Sequence, residues 1–494
     1  MAHVEGILTV DKPIDILLFG GRGDLTQRKL IPALFQLHKN SSLEPDSRIV
    51  GLSRSPLSSE EYCKILYKAL EEYAPECIGT PEQWSSFTQR ITFLTLDGNS
   101  RSDFIKLSQF LEDSSSSNRL FYLATQPGLY VHICRNLAEN NLITKNSRVI
   151  LEKPIGQDLA TAQEINRHVS TWFSEEQTYR IDHYLGKETV QNLLILRFAN
   201  SLFESQWNNR YIDHIQITIA EQIGVGTRGS FFEQVGTMRD MVQNHLLQLL
   251  CIIAMEPPYN SSPDAIRDEK LKVLKALRPL KNEDLQKHVV RGQYSRSNNG
   301  SEKQNAYREE DDVPGNSNIE TFVALKVEID NWRWSGVPFY LRTGKRMAAG
   351  LCEIVVEYKK IPHSVFTEFN SSAIPNKLVI RLQPDESIKL RICEKRLGSG
   401  MNIQPTELNL SPDRNAGEHP PTAYERLLHD AINANATLFM RRDELEAAWQ
   451  WVDPIIEDWT NNNRIPEMYP AGSWGPPTST LLLAKDGRLW NEMS

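Results

Sequence analysis

Ionisable side chains are concentrated in one seven-residue segment, Asp182–Glu188 (DHYLGKE). The segment combines an acid, an imidazole, a phenol and an ammonium group. His183 and Lys187 are four positions apart, so on a helical turn both side chains would project to the same side. Two cations at that spacing could hold one anion, such as a phosphate ester. The alternative interpretation of the same segment is a solvated helix start.

A second candidate group lies in Arg239–His245, directly before an apolar run that begins at Leu246. A histidine beside such a run is often a hydrogen-bonded core residue. A neutral imidazole is also a natural acceptor for a hydroxyl proton, and Asp240 and Asn244 lie nearby in the sequence. The residues alone leave both interpretations of His245 open.

Glycines follow the first predicted strand, in Gly20-Gly21-Arg22-Gly23-Asp24-Leu25, and lead directly into a predicted helix. Such a loop lets the backbone approach a pyrophosphate, and the helix offers unpaired N–H groups and the positive end of its dipole. The spacing is GxxG and not the complete GxGxxG, so the string alone also fits a tight turn. Its position at the first βα junction favours a dinucleotide site.

The end of the second predicted strand indicates which dinucleotide fits. An NAD site usually has an acidic residue there, whereas this chain has Ser53-Arg54-Ser55. A guanidinium between two hydroxyls suits a 2′-phosphate, which favours NADP; a solvated loop arginine is the alternative. Glu152-Lys153-Pro154 follows a later strand, at the sheet edge where α/β proteins bind ligands.

The elements that must position these residues follow two patterns. In the first third of the chain, short apolar runs alternate with helical patterns, which predicts a doubly wound, Rossmann-like parallel sheet. The predicted strands are Ile14–Phe19, Arg48–Leu52, Ile91–Leu96, Leu120–Ala124 and Arg148–Leu151.

Farther on, strands that follow one another through short turns predict an α+β domain with a large, mainly antiparallel sheet. The predicted strand residues are Ile215–Ile219, Val323–Ile329, Ile354–Tyr358, Leu378–Leu382 and Ile388–Ile392. The apolar-poor stretch Arg291–Asn318 is predicted to be a long exposed connection. We therefore expect a cofactor domain over residues 1–180 and a substrate-binding and oligomerisation domain over residues 181–494.

Composition excludes several classes of protein. The 494 residues include 55 Lys and Arg against 63 Asp and Glu, a net charge of −8, which argues against a nucleic-acid partner. The longest fully apolar run, Leu249–Met255, is too short to cross a membrane, and Met1–Val10 lacks the pattern of a signal peptide. Six widely spaced cysteines suggest reduced thiols and no metal site. We expect a cytoplasmic protein.

Together these segments resemble the glucose-6-phosphate dehydrogenases in their bacterial form. The matching segments are Gly20–Leu25 with Arg28 and Lys29, Glu152–Pro154, Arg180–Glu188 (RIDHYLGKE), Arg239–His245, Pro338–Lys345 (PFYLRTGK) and Val379–Pro384 (VIRLQP). Asp182–Glu188 is far more specific than any glycine pattern.

The resemblance implies oxidation of glucose 6-phosphate at C1 to 6-phosphoglucono-1,5-lactone with NADP, the first step of the oxidative pentose phosphate pathway. It implies that His245 is the base and that Asp182 orients the imidazole. The residues it implies for the substrate are Lys153, His183, Tyr184, Lys187, Glu221, Asp240, Lys345 and Gln383. Those it implies for the cofactor are Gly20, Gly21, Arg22, Gly23, Asp24, Leu25, Lys29, Arg54, Asp97, Tyr122, Lys153 and Pro154. A homodimer or homotetramer is implied as well.

Three features bear on how far the family pattern applies to this chain. Met347–Gly350 stands where many relatives carry a second basic residue after the position of Lys345, and Ser55 follows Arg54 where some dual-specificity relatives carry Gln, which leaves NAD use open. Arg381 matches one contact of a second, structural NADP in eukaryotic relatives, and we do not predict that site.

Two other functions fit part of the pattern. Another NADP-dependent sugar oxidoreductase would account for Glu152–Pro154, but not for Asp182–Glu188. A non-catalytic NADP-binding regulator would account for the fold, but it needs neither a base nor an orienting acid, and both Asp182 and His245 are present.

Overall fold

The computed structural model describes residues 12–112, 118–297, 304–366, 374–398, 400–410 and 421–492. The predicted absence of a signal peptide falls on Met1–Val10, outside these residues. The strands are β1 (Ile14–Phe19), β2 (Arg48–Ser53), β3 (Ile91–Thr95), β4 (Asn118–Leu123), β5 (Ser147–Leu151), β6 (Thr178–Ile181), β7 (Ile212–Ala220), β8 (Val289–Ser295), β9 (Phe322–Val327), β10 (Phe339–Gly344), β11 (Leu351–Tyr358), β12 (Lys377–Gln383), β13 (Ser387–Lys395), β14 (Ile403–Asn409), β15 (Phe439–Met440) and β16 (Glu467–Pro470).

Helices connect and cover these strands. The α-helices are α1 (Ile31–Lys39), α2 (Ser59–Tyr73), α3 (Pro81–Thr88), α4 (Arg101–Glu112), α5 (Tyr130–Glu139), α6 (Leu159–Val169), α7 (Glu188–Phe198), α8 (Ser201–Glu204), α9 (Gly229–Thr237), α10 (Leu247–Ala254), α11 (Pro263–Ala276), α12 (Glu283–His288), α13 (Ala423–Ile432), α14 (Arg442–Asn461) and α15 (Pro477–Ala484). Two stretches, Thr26–Leu30 and Met238–Leu246, are π-helical. None of the helices in the described residues is long and apolar enough to cross a bilayer.

The chain divides into two compact units. The first contains the described residues of Met1–Lys187, Pro258–Arg267 and His419–Glu446, and the second contains those of Glu188–Pro257, Asp268–Glu418 and Ala447–Ser494. The first unit is therefore built from three separate segments of the chain.

The first unit contains a seven-stranded sheet in the order β15-β6-β5-β4-β1-β2-β3. Strands β1 to β6 are parallel, and every residue of β1 is buried, as expected when helices cover both faces of a parallel sheet. This confirms the Rossmann-like prediction, and each of the five predicted strands is present to within two residues at either end. The short β15 is antiparallel to β6 and was not predicted.

The second unit contains a nine-stranded sheet in the order β14-β13-β12-β11-β7-β10-β9-β8-β16. Most neighbours are antiparallel, which confirms the predicted sheet; the pairs β7–β10 and β8–β16 are parallel. The hairpin predicted through Pro384, Asp385 and Glu386 joins β12 to β13.

The prediction of a long exposed connection over Arg291–Asn318 is correct only in part, since most of residues 311–318 are exposed but most of its other described residues are not. Its start belongs to β8, and Tyr294 and Tyr307 are fully buried with their ring centroids 5.6 Å apart. Tyr307 donates a hydrogen bond of 2.5 Å to Glu233 Oε1. A few aromatic anchors hold the segment against the core, which its low overall apolar content conceals.

Candidate active site

The glycine loop of the first unit connects β1 to a helix that begins at Asp24. The backbone N–H groups of Gly20 and Gly21 both donate to the carbonyl of Leu52, at 3.0 and 2.9 Å, which ties the loop to β2. Gly20 has φ of 85°, and a Cβ at this position would lie 2.3 Å from the Ala124 carbonyl oxygen. Only glycine fits this turn, because the turn has no room for a Cβ and requires a positive φ.

The residues present fit a dinucleotide. The loop is followed directly by a helix N-terminus, where backbone N–H groups and the helix dipole favour a pyrophosphate. Arg22, Asp24 and Lys29 are exposed around this end of the helix. Asp24 accepts an ion pair from Arg28 at 2.5 Å, which offsets its negative charge beside the loop.

Arg54 and Asp97 lie at the same sheet edge as the glycine loop. Strands β1, β2 and β3 are parallel neighbours, so their carboxyl ends meet there. Arg54 is exposed directly after β2, where a guanidinium can reach a 2′-phosphate. Asp97 follows β3 and is half-buried; its Oδ1 accepts the backbone N–H of Asn99 at 3.0 Å.

Three tyrosines surround Glu152 at the end of β5. The Tyr122 hydroxyl donates to Glu152 Oε1 at 2.5 Å, and the Tyr130 hydroxyl donates to the Glu152 carbonyl at 2.8 Å. Burial raises the pKa of Glu152, while the hydrogen bond from Tyr122 and the charge of Lys153 act in the opposite direction. A hydrogen bond from Tyr424 contributes to the same cluster. Tyr122 is fully buried, so it lies in the core of the unit.

Lys153 and Pro154 follow this cluster directly and are half-buried at the sheet edge. The peptide bond between them is cis. Lys153 thus projects from a rigid base, because the preceding Glu152 is held through both its side chain and its carbonyl.

The segment 182–187 after β6 is a series of tight turns, not the helical turn that we considered from the spacing. Its backbone bonds run from Leu185 N–H to the Asp182 carbonyl and from Lys187 N–H to the Tyr184 carbonyl, each 3.1 Å. Asp182 is fully buried, and its Oδ1 accepts the Tyr184 N–H at 2.9 Å. A side chain that bonds its own backbone favours turns over helix.

The Tyr184 ring contacts both basic residues of this segment. Lys187 Nζ lies 3.6 Å from the ring centroid, and the His183 ring centroid lies 4.9 Å from it. His183 also stacks on Tyr424 of α13, at 6.4 Å and 11° between the ring planes. One buried ring therefore supports a lysine and a histidine that are both half-buried, an arrangement suited to one anionic group.

The second unit brings three predicted substrate residues to one edge of its sheet. Strands β7, β10 and β12 run in the same direction, so Glu221, Lys345 and Gln383 all lie at or directly after carboxyl ends. Lys345 Nζ donates to Glu221 Oε2 at 2.6 Å and lies 3.9 Å from Asp240 Oδ2. Two carboxylates and one ammonium group provide acceptors and donors for sugar hydroxyls.

Asp240 and His245 lie on the π-helix Met238–Leu246, and His245 is fully buried. The backbone N–H of His245 donates to Asn244 Oδ1 at 2.6 Å. Glu320 holds the start of this helix: its Oε1 accepts the Met238 N–H at 3.0 Å, and its carbonyl accepts the Thr237 N–H at 3.1 Å. Glu320, from the same unit, thus fixes the first turn of the helix that carries His245.

Each unit therefore presents its own group of site residues. The first unit holds the glycine loop, Arg54, Asp97, Lys153, Pro154 and the segment 182–187, and the second holds Glu221, Asp240, His245, Lys345 and Gln383. The sequence did not identify Tyr424, Glu320 or the π-helix. Tyr424 is more than 200 positions away from the residues it contacts, and no local pattern signals such a contact.

Two family models cover nearly the whole chain. The model described as glucose-6-phosphate dehydrogenase, NAD binding domain, matches residues 17–192, and the model described as glucose-6-phosphate dehydrogenase, C-terminal domain, matches residues 194–491.

Individual proteins are similar over the same length. A glucose-6-phosphate 1-dehydrogenase of Rhizobium meliloti (strain 1021) is 46% identical over 97% of this chain and 98% of its own. The enzyme of the same name from Mycolicibacterium smegmatis is 46% identical over 97% of both chains. A solved glucose-6-phosphate dehydrogenase in complex with its substrate glucose-6-phosphate superposes with a TM-score of 0.90, at 35% identity over 98% of this chain and 99% of the other.

Proposed function

The chain belongs to the glucose-6-phosphate dehydrogenase family, and from this premise we propose how its residues carry out the reaction. It oxidises D-glucose 6-phosphate at C1 to 6-phospho-D-glucono-1,5-lactone with NADP, the first step of the oxidative pentose phosphate pathway. The geometric observation that carries this function is the pair of basic side chains, His183 and Lys187, beside the Tyr184 ring. It supplies a phosphate grip that an unphosphorylated sugar would not need.

NADP would be held by the first unit. The glycine loop and the first turn of the following helix would receive the pyrophosphate, with Lys29 beside it, and Arg54 would pair with the 2′-phosphate. Asp97 and Pro154 would border the nucleotide, and Tyr122 would act through Glu152, because its ring is buried. When bound, NADP supplies the acceptor for the hydride that leaves C1 of the sugar.

The sugar phosphate would be held by a phosphate-binding group and a hydroxyl-binding group of residues. His183 and Lys187 would bind the phosphate group, with Tyr184 fixing their positions. Hydroxyl groups of the sugar would be bound by Glu221, Asp240, Lys345 and Gln383. Lys153 would contact both the substrate and the cofactor. Grips of this kind bind substrate and transition state alike, so they mainly orient the reacting carbon.

His245 would accept the proton of the C1 hydroxyl as the hydride departs. A base in this role lowers the barrier because the developing carbonyl loses its proton in the same step. Asp182 would orient the imidazole and stabilise its cation without taking the proton itself, as the resemblance implies. The π-helix supports this role, since its anchored first turn fixes the backbone that carries His245.

Substrate discrimination tests the function. The purified protein is expected to reduce NADP with glucose 6-phosphate, followed by absorbance of the reduced nicotinamide, and to lose most of its kcat/KM with unphosphorylated glucose. Equal kcat/KM for the two sugars would contradict the phosphate grip, and no reduction with either would contradict the function.

Replacement of Arg54 by alanine is expected to raise KM for NADP by about tenfold or more, because a charge-assisted bond to the 2′-phosphate contributes on the order of 1.5–3 kcal/mol. KM for NAD should change little, since NAD lacks that phosphate. Arg101→Ala, an exposed arginine on α4 of the same unit, is the matched control. An equal change with both cofactors would remove Arg54 from this role.

We also propose a cytoplasmic homodimer or homotetramer with a cofactor domain over residues 1–180 and a substrate-binding and oligomerisation domain over residues 181–494. The wide spacing of the six cysteines along the chain is in keeping with a reducing compartment. The resemblance supports assembly through the large sheet, and light scattering of the purified protein would give the number of subunits.

A further inference from the structure

Tyr62 lies on α2, outside every motif considered above, and its side chain reaches the glycine loop. The ring is fully buried, and the hydroxyl donates a hydrogen bond of 2.7 Å to the backbone carbonyl of Gly21, 41 positions away. Burial raises the pKa of the phenol well above its ordinary value, so the group remains protonated and serves as a donor.

A glycine in the neighbouring strand makes room for this ring. A Cβ at Gly51 of β2 would lie 2.5 to 2.6 Å from the ring edge and hydroxyl of Tyr62. Glycine weakens a strand and often marks a close approach by another group. Phe93, which pairs with Gly51 across β2 and β3, also packs against Tyr62, with ring centroids 4.8 Å apart. Residues of β2 and β3 thus form the surface against which the Tyr62 ring packs.

The Tyr62 hydroxyl is one of three side-chain donors that form hydrogen bonds to backbone carbonyls of the glycine loop. The Gly20 carbonyl accepts from the Thr26 hydroxyl at 2.9 Å, and the Arg22 carbonyl accepts from Gln27 Nε2 at 2.7 Å. Tyr62 donates to the carbonyl of Gly21, which lies between Gly20 and Arg22 in the sequence. Carbonyl oxygens repel a phosphate and N–H groups attract it, so a loop whose carbonyls are bound by protein donors favours an anion.

Thr26 and Gln27 belong to the helix that follows the loop, whereas Tyr62 belongs to a different one. Its helix begins five residues after Arg54 and is fixed by a capping box of Ser58 and Glu61. Ser59 Oγ also accepts the Phe93 N–H at 3.0 Å, which joins the start of the helix to β3. Tyr62 therefore connects the loop to a rigid element beyond the end of β2.

We propose that Tyr62 is a positioning residue for the pyrophosphate of the dinucleotide, acting through the carbonyl of Gly21. The proposal rests on the proposed function, because it takes the loop as the cofactor site. It predicts an effect on both NADP and NAD, which share the pyrophosphate, and so differs from the role proposed for Arg54.

Tyr62→Phe removes only the hydroxyl oxygen and tests this role by direct titration of NADP and NAD binding. Loss of one buried hydrogen bond is expected to weaken the Kd of both cofactors about three- to tenfold. KM for glucose 6-phosphate should be unchanged. Tyr67→Phe, on the same helix and half-buried, is the matched control and should leave both Kd values unchanged.

Two outcomes would overturn the proposal. One is an unchanged Kd for both cofactors in Tyr62→Phe, with or without a lower Tm, which would leave the phenol a purely structural role. The other is a change confined to NADP. Because binding is measured without turnover, a wild-type protein that binds NADP but does not oxidise glucose 6-phosphate would contradict the proposed function and leave this test intact.

Discussion

Replacement of His245 by asparagine is expected to lower kcat for glucose 6-phosphate by about 10²- to 10⁴-fold, the usual contribution of a general base. Asparagine is polar and close in size, but it cannot accept the proton of the C1 hydroxyl. KM should change much less, since the phosphate grip and the carboxylates around Lys345 remain in place. Steady-state kinetics at saturating NADP measure both quantities.

His288→Asn is the matched control for this variant. His288 lies at the end of α12 in the same unit, is partly buried and has no proposed role in the reaction. Its kcat should equal that of the wild type. If His245→Asn retained kcat within about threefold of the wild type, another group would have to be the base.

Replacement of Lys187 by alanine is expected to raise KM for glucose 6-phosphate by about ten- to 100-fold, because a charge-assisted hydrogen bond to phosphate contributes on the order of 1.5–3 kcal/mol. The slow reaction with unphosphorylated glucose should be unaffected, so the variant should discriminate less between the two sugars. Since the grip serves substrate and transition state alike, kcat should fall only slightly.

Lys68→Ala provides the control for loss of one positive charge. Lys68 is exposed on α2, in the same unit as Lys187, and no contact to a ligand is proposed for it. A KM for glucose 6-phosphate that rises equally in both variants would show a general charge effect. An equal loss for glucose and glucose 6-phosphate in Lys187→Ala would place the lysine away from the phosphate.

The strands of the first unit were predictable because each is a short, mainly apolar run that is followed by a turn. Ile14–Phe19 is apolar apart from Asp15, and it is buried along its whole length. The edge strand Phe439–Met440 was not predictable, since two residues carry no periodicity and their partner Ile181 lies more than 250 positions earlier. The same limit explains why aromatic anchors such as Tyr307 were overlooked.

The site residues likewise divide into those predicted from local sequence patterns and those predicted only from the family resemblance. The glycine loop and Arg54 followed from local chemistry at strand ends, and the parallel sheet places both at one edge. Roles for Glu221 and Lys345 came from resemblance alone. The structure supplies the physical reason for their contact: β7 and β10 are parallel neighbours, so residues directly after them lie side by side.

The backbone conformation of the site could not be predicted from the sequence. The spacing of His183 and Lys187 suggested a helical turn, but the Asp182 side chain bonds the backbone N–H of Tyr184 and favours tight turns instead. The π-helix Met238–Leu246 likewise has a distant contact at its start, where the Met238 N–H donates to Glu320. Tyr62 has no motif of its own, and only its hydrogen bond to Gly21 reveals it.

Transfer of an isotopic label from C1 of the sugar to the cofactor tests the proposed hydride transfer itself. Glucose 6-phosphate that carries deuterium at C1 would be turned over with NADP, and the reduced cofactor would be analysed by mass spectrometry and NMR. We expect one deuterium at C4 of the nicotinamide and a lactone product without the label. Reduced cofactor without deuterium, or deuterium retained in the sugar product, would contradict it.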